Sequence, residues 1–374
     1  MFKVLARAQE LERQGQHIIH FEIGDPDFAT PANIVNAAVE SLRRGETHYT
    51  SSMGMHDFHL AICDTTERTR GFRPDLNQIL VAPGANILIY YAIACLVNPG
   101  DEVIVPDPGF PTYYSAMKYC NVKAVTVPLK ESNQFRMSPD DVRQRITKRT
   151  RLIIINSPQN PTGALMTPDE IMQMAKLAEE HDGYLYSDEI YVRMVFDEAV
   201  PFKSPSFLDH CRERTIVANG FSKSFAMTGW RLGVAIAPAD VIAKMGLLLQ
   251  TTSSCVPPFI QRAGIEAISG DQSEVHKMTK EYRERRELIV DGLNSIRGLS
   301  CLLPGGAFYV FPNITKTGMT SEEFAAAMLD RAGVALLPGN CFGNYGEGYV
   351  RLCYANSKKN IVEGLRRIKA AIEN

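Results

Sequence analysis

The chain has 374 residues, 45% hydrophobic and 22% charged, with a formal net charge of −2. That length exceeds the size at which one hydrophobic core stops growing, so two lobes are expected. The near-neutral balance supplies no electrostatic pull toward nucleic acid or an anionic membrane and points to small molecules as partners.

Taken in chain order, residues 1 to about 16 alternate charged and apolar positions at helical spacing, and His17 to Ile23 reads as a short strand ending at Gly24-Asp25-Pro26. From there to about residue 270 strand and helix alternate. Strands are expected at Ile79–Ala82, Glu102–Val105, Arg151–Ile155, Tyr184–Ser187, Thr215–Ala218 and Gly233–Ala237, with helices at Ala85–Val97 and Pro168–His181. Short apolar strands alternating with helices predict an α/β fold around a largely parallel sheet covered on both faces. The charge-rich stretch Val275 to Ile296 reads as one long exposed helix, its mixed signs marking a solvated face rather than a nucleic-acid patch. A strand pair (Ser300–Leu303 and Phe308–Phe311), a helix (Ser321–Ala332), two further strands and a helix from Ser357 onward complete a smaller α+β lobe. The expected division is residues 1–33 as the N-terminal part of the small domain, 34–270 as the large domain, and 271–374 as linking helix and C-terminal small domain.

The eight cysteines form no Cys-x-x-Cys pair, which argues against zinc and thioredoxin-type chemistry. The pairs His17/His20 and His56/His59 lack further ligands and read as exposed helix histidines, so no metal is expected. The longest apolar run, Ile87 to Val97, is too short for a bilayer, and the polar start is not a secretory signal; a cytoplasmic setting is expected.

Chemistry concentrates in a few segments. Asn219 to Arg231 follows a predicted strand and sets Lys223 among small and apolar residues at the carboxyl edge of the sheet, where ligands bind. An amine there can be desolvated and kept partly neutral, as a Schiff-base lysine requires. Arg231, eight residues on, can grip the same anion bidentately. Pro83-Gly84-Ala85-Asn86 precedes an apolar helix whose free N–H groups suit a phosphate. Asp188 ends a strand in Ser187-Asp188-Glu189-Ile190-Tyr191, and Asn156 to Gly163 contains an Asn-Pro-Thr-Gly turn after another. Arg351 sits in a strand of the small lobe, where it could hold a planar carboxylate or pair with Glu347.

These motifs, in this order from Gly24-Asp-Pro-Asp-Phe-Ala-Thr-Pro31 to Gly348-Tyr-Val-Arg-Leu352, resemble those of the class I/II aminotransferases, the fold-type I enzymes that use pyridoxal 5'-phosphate. The resemblance implies that Lys223 carries the cofactor and acts as general base. It makes Asp188 the partner of the pyridine nitrogen, with Tyr191 and Asn160 sharing the ring's 3'-oxygen. Gly84, Ala85, Asn86, Ser222 and Arg231 would surround the phosphate, Phe110 would stack on the ring, and Tyr49 would reach the phosphate of a neighbouring subunit in a homodimer. Gly24, Asn160 and Arg351 would bind the substrate carboxylate.

The implied activity is exchange of an amino group between an α-amino acid and a 2-oxo acid by a ping-pong mechanism. The alternative is a β-lyase or synthase in the same fold, since the fold does not decide what becomes of the substrate carbanion. Two departures stand out: Gly220 occupies a place where many relatives have a phosphate-binding serine, and Asn86 one where enzymes for dicarboxylic substrates can carry a lysine. The second favours a neutral side chain for at least one substrate.

Overall fold

The computed structural model describes residues 2–196 and 202–373. In chain order it begins with α1 (Phe2–Arg13), β1 (Ile19–His20), α2 (Ala32–Arg43), α3 (His56–Arg70), β2 (Ile79–Ala82), α4 (Ala85–Leu96), β3 (Glu102–Asp107), α5 (Pro111–Tyr119), β4 (Lys123–Pro128) and α6 (Pro139–Arg143). It continues through β5 (Thr150–Asn156), α7 (Pro168–Glu180), β6 (Tyr184–Asp188), α8 (Ser206–Asp209), β7 (Thr215–Gly220), β8 (Gly233–Ile236), α9 (Ala239–Ser253) and α10 (Pro258–Ser269). The last elements are α11 (Ser273–Asn294), β9 (Tyr309–Val310), α12 (Ser321–Ala332), β10 (Val334–Ala335), β11 (Leu337–Pro338), β12 (Val350–Cys353) and α13 (Lys358–Glu373).

Seven strands form the central sheet in the order β2-β8-β7-β6-β5-β3-β4. The five from β7 to β4 run parallel, and β8 lies antiparallel between β7 and β2. Val103, Val105, Ile154, Leu185 and Ile216 are all fully buried, as a parallel sheet packed on both faces demands. The chain leaves β3 for β4 in one direction and returns at β5 to build toward β6 and β7 in the other. The gap between β3 and β5 is therefore a topological switch point, outside whose carboxyl ends a ligand crevice is expected.

Two small sheets lie elsewhere: β1 pairs in parallel with β10, and β11-β12-β9 is antiparallel. The strand expected over His17–Ile23 shrinks to Ile19–His20, because beyond it the backbone serves the cleft instead of a ladder. The expected pairing of Ser300–Leu303 with Phe308–Phe311 is corrected. Only Ser300 makes an isolated bridge, to Asn313, and Tyr309–Val310 pairs with β12. The edge strand β4 went unread because its outer residues, Lys123 and Ala124, are exposed and blur the alternation.

The long helix is present as α11, but the expectation of a purely solvated face fails. Tyr282, Arg285 and Arg286 are buried. Arg285 bonds Asp27 (2.7 Å) and Glu281 (3.0 Å), and Arg286 donates to the carbonyl of Pro304 (3.0 Å). Spacing of three to four residues places Tyr282, Arg285, Arg286 and Ile289 on one inward stripe, with guanidinium groups paired where they leave water. The histidines are corrected too. His59 is buried in α3 with a ring nitrogen 2.9 Å from the carbonyl of Met53, and His20 lies in β1 between Glu22 and Glu12. Among the described residues no group of His, Cys, Asp and Glu could hold a metal ion, and no helix is long and apolar enough to cross a membrane.

Candidate active site

A cleft of about 350 Å³ opens at the carboxyl ends of the parallel strands. Its size falls in the usual range for small-molecule sites. Gly24, Ala85, Asn86, Phe110, Asn160, Asp188, Tyr191, Ser222, Lys223, Arg231 and Arg351, drawn from residues far apart in the chain, all line it. A larger cavity of about 510 Å³ is lined by α3 together with Arg193, Lys203 and Phe207, but no acidic side chain is among its described lining. Chemistry, not volume, identifies the cleft.

Lys223 follows β7 on a short turn. Its ammonium donates to the carbonyl of Gly24 at 2.5 Å, and among the described residues no carboxylate bonds it. Burial lowers its pKa from 10.5 to about 8, with the charges of Arg351 and Arg231 pushing the same way. The amine is therefore part neutral near physiological pH, and only the neutral form is nucleophilic.

Asp188 ends β6, where its register partner on β5 is Asn156. The Asn156 side chain ties the two strand ends together, donating to the backbone carbonyl of Asp188 (3.0 Å) and accepting from the N–H of Asn160 (2.9 Å). The Asp188 carboxylate accepts from the phenol of Tyr113 (2.6 Å) and the N–H of Ile190 (3.3 Å). Burial pushes its pKa up to about 6, against the opposing pull of these two donors. Tyr191 lies beside it with its hydroxyl 2.8 Å from that of Tyr309. Burial keeps the Tyr191 phenol protonated.

At the start of α4, Gly84 has φ +96° and no side chain caps the helix, so the first N–H groups remain available. A Cβ at Gly84 would stand 2.4 Å from a guanidinium nitrogen of Arg231, so the glycine is what lets that guanidinium lie against the helix start. The same packing accounts for Gly220. A Cβ there would meet Ile190 at 2.5 Å and Ala85 at 3.2 Å, which leaves no room for a serine.

Arg351, buried in β12, donates to Asn160 Oδ1 (3.1 Å) and the carbonyl of Glu22 (2.6 Å). Among the described residues its Nε is buried without a hydrogen-bond partner, which leaves the guanidinium an unused donor. The alternative pairing with Glu347 does not occur; Glu347 instead accepts from the N–H and hydroxyl of Ser321.

Two further residues escaped the sequence reading. The Tyr309 ring lies under Arg351, 4.5 Å from its guanidinium carbon, and its hydroxyl would clash with any side chain at Gly24. The signal was the aromatic pair Phe308-Tyr309 after Gly305-Gly306. Tyr113 stands one helical turn beyond Phe110, a spacing that puts both on one face of α5. Tyr49 does not enter the cleft of its own chain and is 88% exposed.

The profile of the class I and II aminotransferases matches residues 16–368. The chain belongs to that family. It is 41% identical over 373 residues to an aspartate aminotransferase of Pyrococcus horikoshii, covering 99% of this chain and 94% of that one. It is 40% identical over 359 residues to an aromatic-amino-acid aminotransferase of Thermococcus litoralis, covering 95% and 92%. The crystal structure of an aspartate aminotransferase from Rhizobium meliloti superimposes with a TM-score of 0.95 at 34% identity, over 100% of this chain and 95% of that one. The fold is accordingly fold-type I, the protein is an aminotransferase, and its cofactor is pyridoxal 5'-phosphate. The residues present fit that cofactor: a partly neutral amine for its aldehyde, an uncapped helix start beside a guanidinium for its phosphate, and a buried carboxylate for its ring nitrogen.

The titration of Lys223 is directly measurable. In the cofactor-free protein, trinitrobenzenesulfonate, which attacks only neutral amines, should label Lys223 with a midpoint near pH 8. A midpoint near the ordinary lysine value of 10.5 would show that burial does not act as described.

Proposed function

We propose that this enzyme exchanges the amino group of an α-amino acid bearing a neutral side chain with a 2-oxo acid, and that Lys223, Asp188 and Arg351 carry the work. The observation that carries this reading is their convergence on one cleft, which all three line.

Bound there, pyridoxal phosphate supplies the electron sink that stabilises a carbanion at the substrate's α-carbon. The residues of the chain do the rest. Gly84, Ala85 and Asn86 present backbone N–H groups to the phosphate, with Ser222 and Arg231 beside them. Phe110 covers one face of the ring. Asp188 holds a proton on the ring nitrogen by charge, and Tyr191, kept protonated, donates to the 3'-oxygen that Asn160 also touches. Lys223 is the covalent anchor. Once the substrate amine takes its place, its neutral Nζ would be free to act as the base that removes the α-proton and delivers it to the carbon two atoms further along, beyond the nitrogen.

Arg351, with Asn160 and the backbone at Gly24, fixes the substrate carboxylate and so decides which bond at the α-carbon is aligned for cleavage. The carboxylate anchor belongs to the domain of residues 271–374, completed by 1–33, and the lysine to that of 34–270. Substrate binding therefore draws the two together and excludes water. Exposed Tyr49 suits contact with the phosphate of a second subunit, so the working form is a homodimer, in the cytoplasm.

The choice of a neutral side chain rests on the cleft's charges. Lys223, Arg231 and Arg351 are the only basic side chains among its described lining, and each already has a role. Leu5 and Ile23 add apolar surface. A second carboxylate would enter without a cationic partner from this chain, at a desolvation cost of roughly several kcal/mol. The similar proteins do not decide the matter, since their names span aspartate and aromatic amino acids.

Two measurements test the proposal. Comparing kcat/KM for aspartate with that for alanine, leucine and phenylalanine should favour the neutral side chains; a strong preference for aspartate would overturn the assignment. Asp188→Asn should lower kcat by about a hundredfold or more while changing cofactor affinity less than about tenfold, because the phosphate contacts remain. Unchanged turnover would reduce Asp188 to a structural residue.

A further inference from the structure

Asp188 is the group most exposed to the penalty of its own burial. Every charge or dipole that faces it bears on whether it stays ionised. From β6 comes Tyr186, whose buried hydroxyl has no hydrogen-bond partner among the described residues, and just past its end Glu189, whose negative charge opposes a second one. Glu189 is held by Arg70 (2.5 Å) and by the hydroxyls of Ser187 (3.0 Å) and Ser204 (2.6 Å). From the turn after β6 come the Ile190 N–H and the phenol of Tyr191. Lys223, Arg231 and Arg351 share the cleft. Among the described residues only one side chain donates directly to the carboxylate, and that is Tyr113 of α5, at 2.6 Å.

We propose that Tyr113 is a positioning residue for Asp188, its phenol fixing the direction of the carboxylate and favouring the ionised form. Three observations support this. Tyr113 is fully buried, so no water competes for its hydroxyl. Burial and the neighbouring charge of Asp188 push its own pKa well up, so it is always a donor and never a rival anion. It also stands in the first turn of α5, three residues beyond Phe110 at the helix cap, with ring centroids 5.7 Å apart and planes at 85°. The head of α5 thus carries both the ring that would cover the cofactor and the phenol that orients the carboxylate. The chemistry is that of a charge-assisted hydrogen bond, stronger to carboxylate than to carboxylic acid. A phenylalanine at 113 would leave one carboxylate oxygen without its shortest donor.

This inference rests on the reading of Asp188 given above, but its test need not. In cofactor-free protein, the infrared band of the Asp188 carboxyl, identified by its loss in Asp188→Asn, can be followed against pH. Tyr113→Phe should move the midpoint upward by about one to two pH units. Tyr113 replaced by 3-fluorotyrosine, nearly the same shape but a stronger donor, should move it downward, and this variant decides the matter if the phenylalanine form does not fold. In the holoenzyme the acid limb of the kcat profile should rise with Tyr113→Phe while KM for the amino acid stays nearly constant. Midpoints that move in neither variant overturn the proposal. Full turnover by Asp188→Asn would instead remove the role of Asp188, leaving the infrared coupling to stand or fall by itself.

Discussion

The structure depends on keeping a carboxylate charged where water cannot reach it. Taking a carboxylate out of water costs several kcal/mol unless donors replace its hydration. At the end of β6 the replacements are two, the phenol of Tyr113 and the N–H of Ile190, while Asn156 anchors the backbone that carries Asp188. The adjacent Glu189 would add a second buried charge, and the pairing with Arg70 offsets it. Lys223 presents the converse case. Burial works against its charge, and with no carboxylate bonded to it, the amine is left part neutral. One apolar setting thus moves an acid and a base toward neutrality from opposite sides, and hydrogen bonds determine how far each goes.

The sheet's topology brings these groups together. Because β3 and β5 diverge at the switch point, the loops after β3, β5, β6 and β7 deliver Phe110, Asn160, Asp188 and Lys223 to one crevice, while α4 aims its free N–H groups at the same space. The small antiparallel sheet adds Arg351, and the segment after β1 adds Gly24, so this wall of the cleft comes from the two ends of the chain. Close approach is possible because Gly24, Gly84 and Gly220 carry no Cβ at points where one would overlap Tyr309, Arg231 and Ile190.

Much of this was legible in the residues. Strands buried on both faces are short uninterrupted apolar runs, so β2, β3, β5, β6, β7 and β8 could be found within a residue or two, and polar motifs at the carboxyl ends of the parallel ones marked the cleft. What stayed hidden depended on tertiary partners. Nothing in the run from Glu281 to Glu287 shows that Arg285 faces Asp27 across 258 residues or that Tyr282 is buried. His59 has the composition of an exposed helix residue and is buried only because the carbonyl of Met53 receives it. Tyr113 and Tyr309 were invisible as site residues because an aromatic in an apolar helix or strand carries no mark of where its hydroxyl ends.

The central claim is that Lys223 is the residue to which the cofactor is joined. Borohydride reduction of the holoenzyme followed by peptide mass mapping tests it most directly. The account predicts a pyridoxyl group on the peptide containing Lys223 and on no other lysine. A label on a different lysine, or none on Lys223 at full cofactor occupancy, would contradict it.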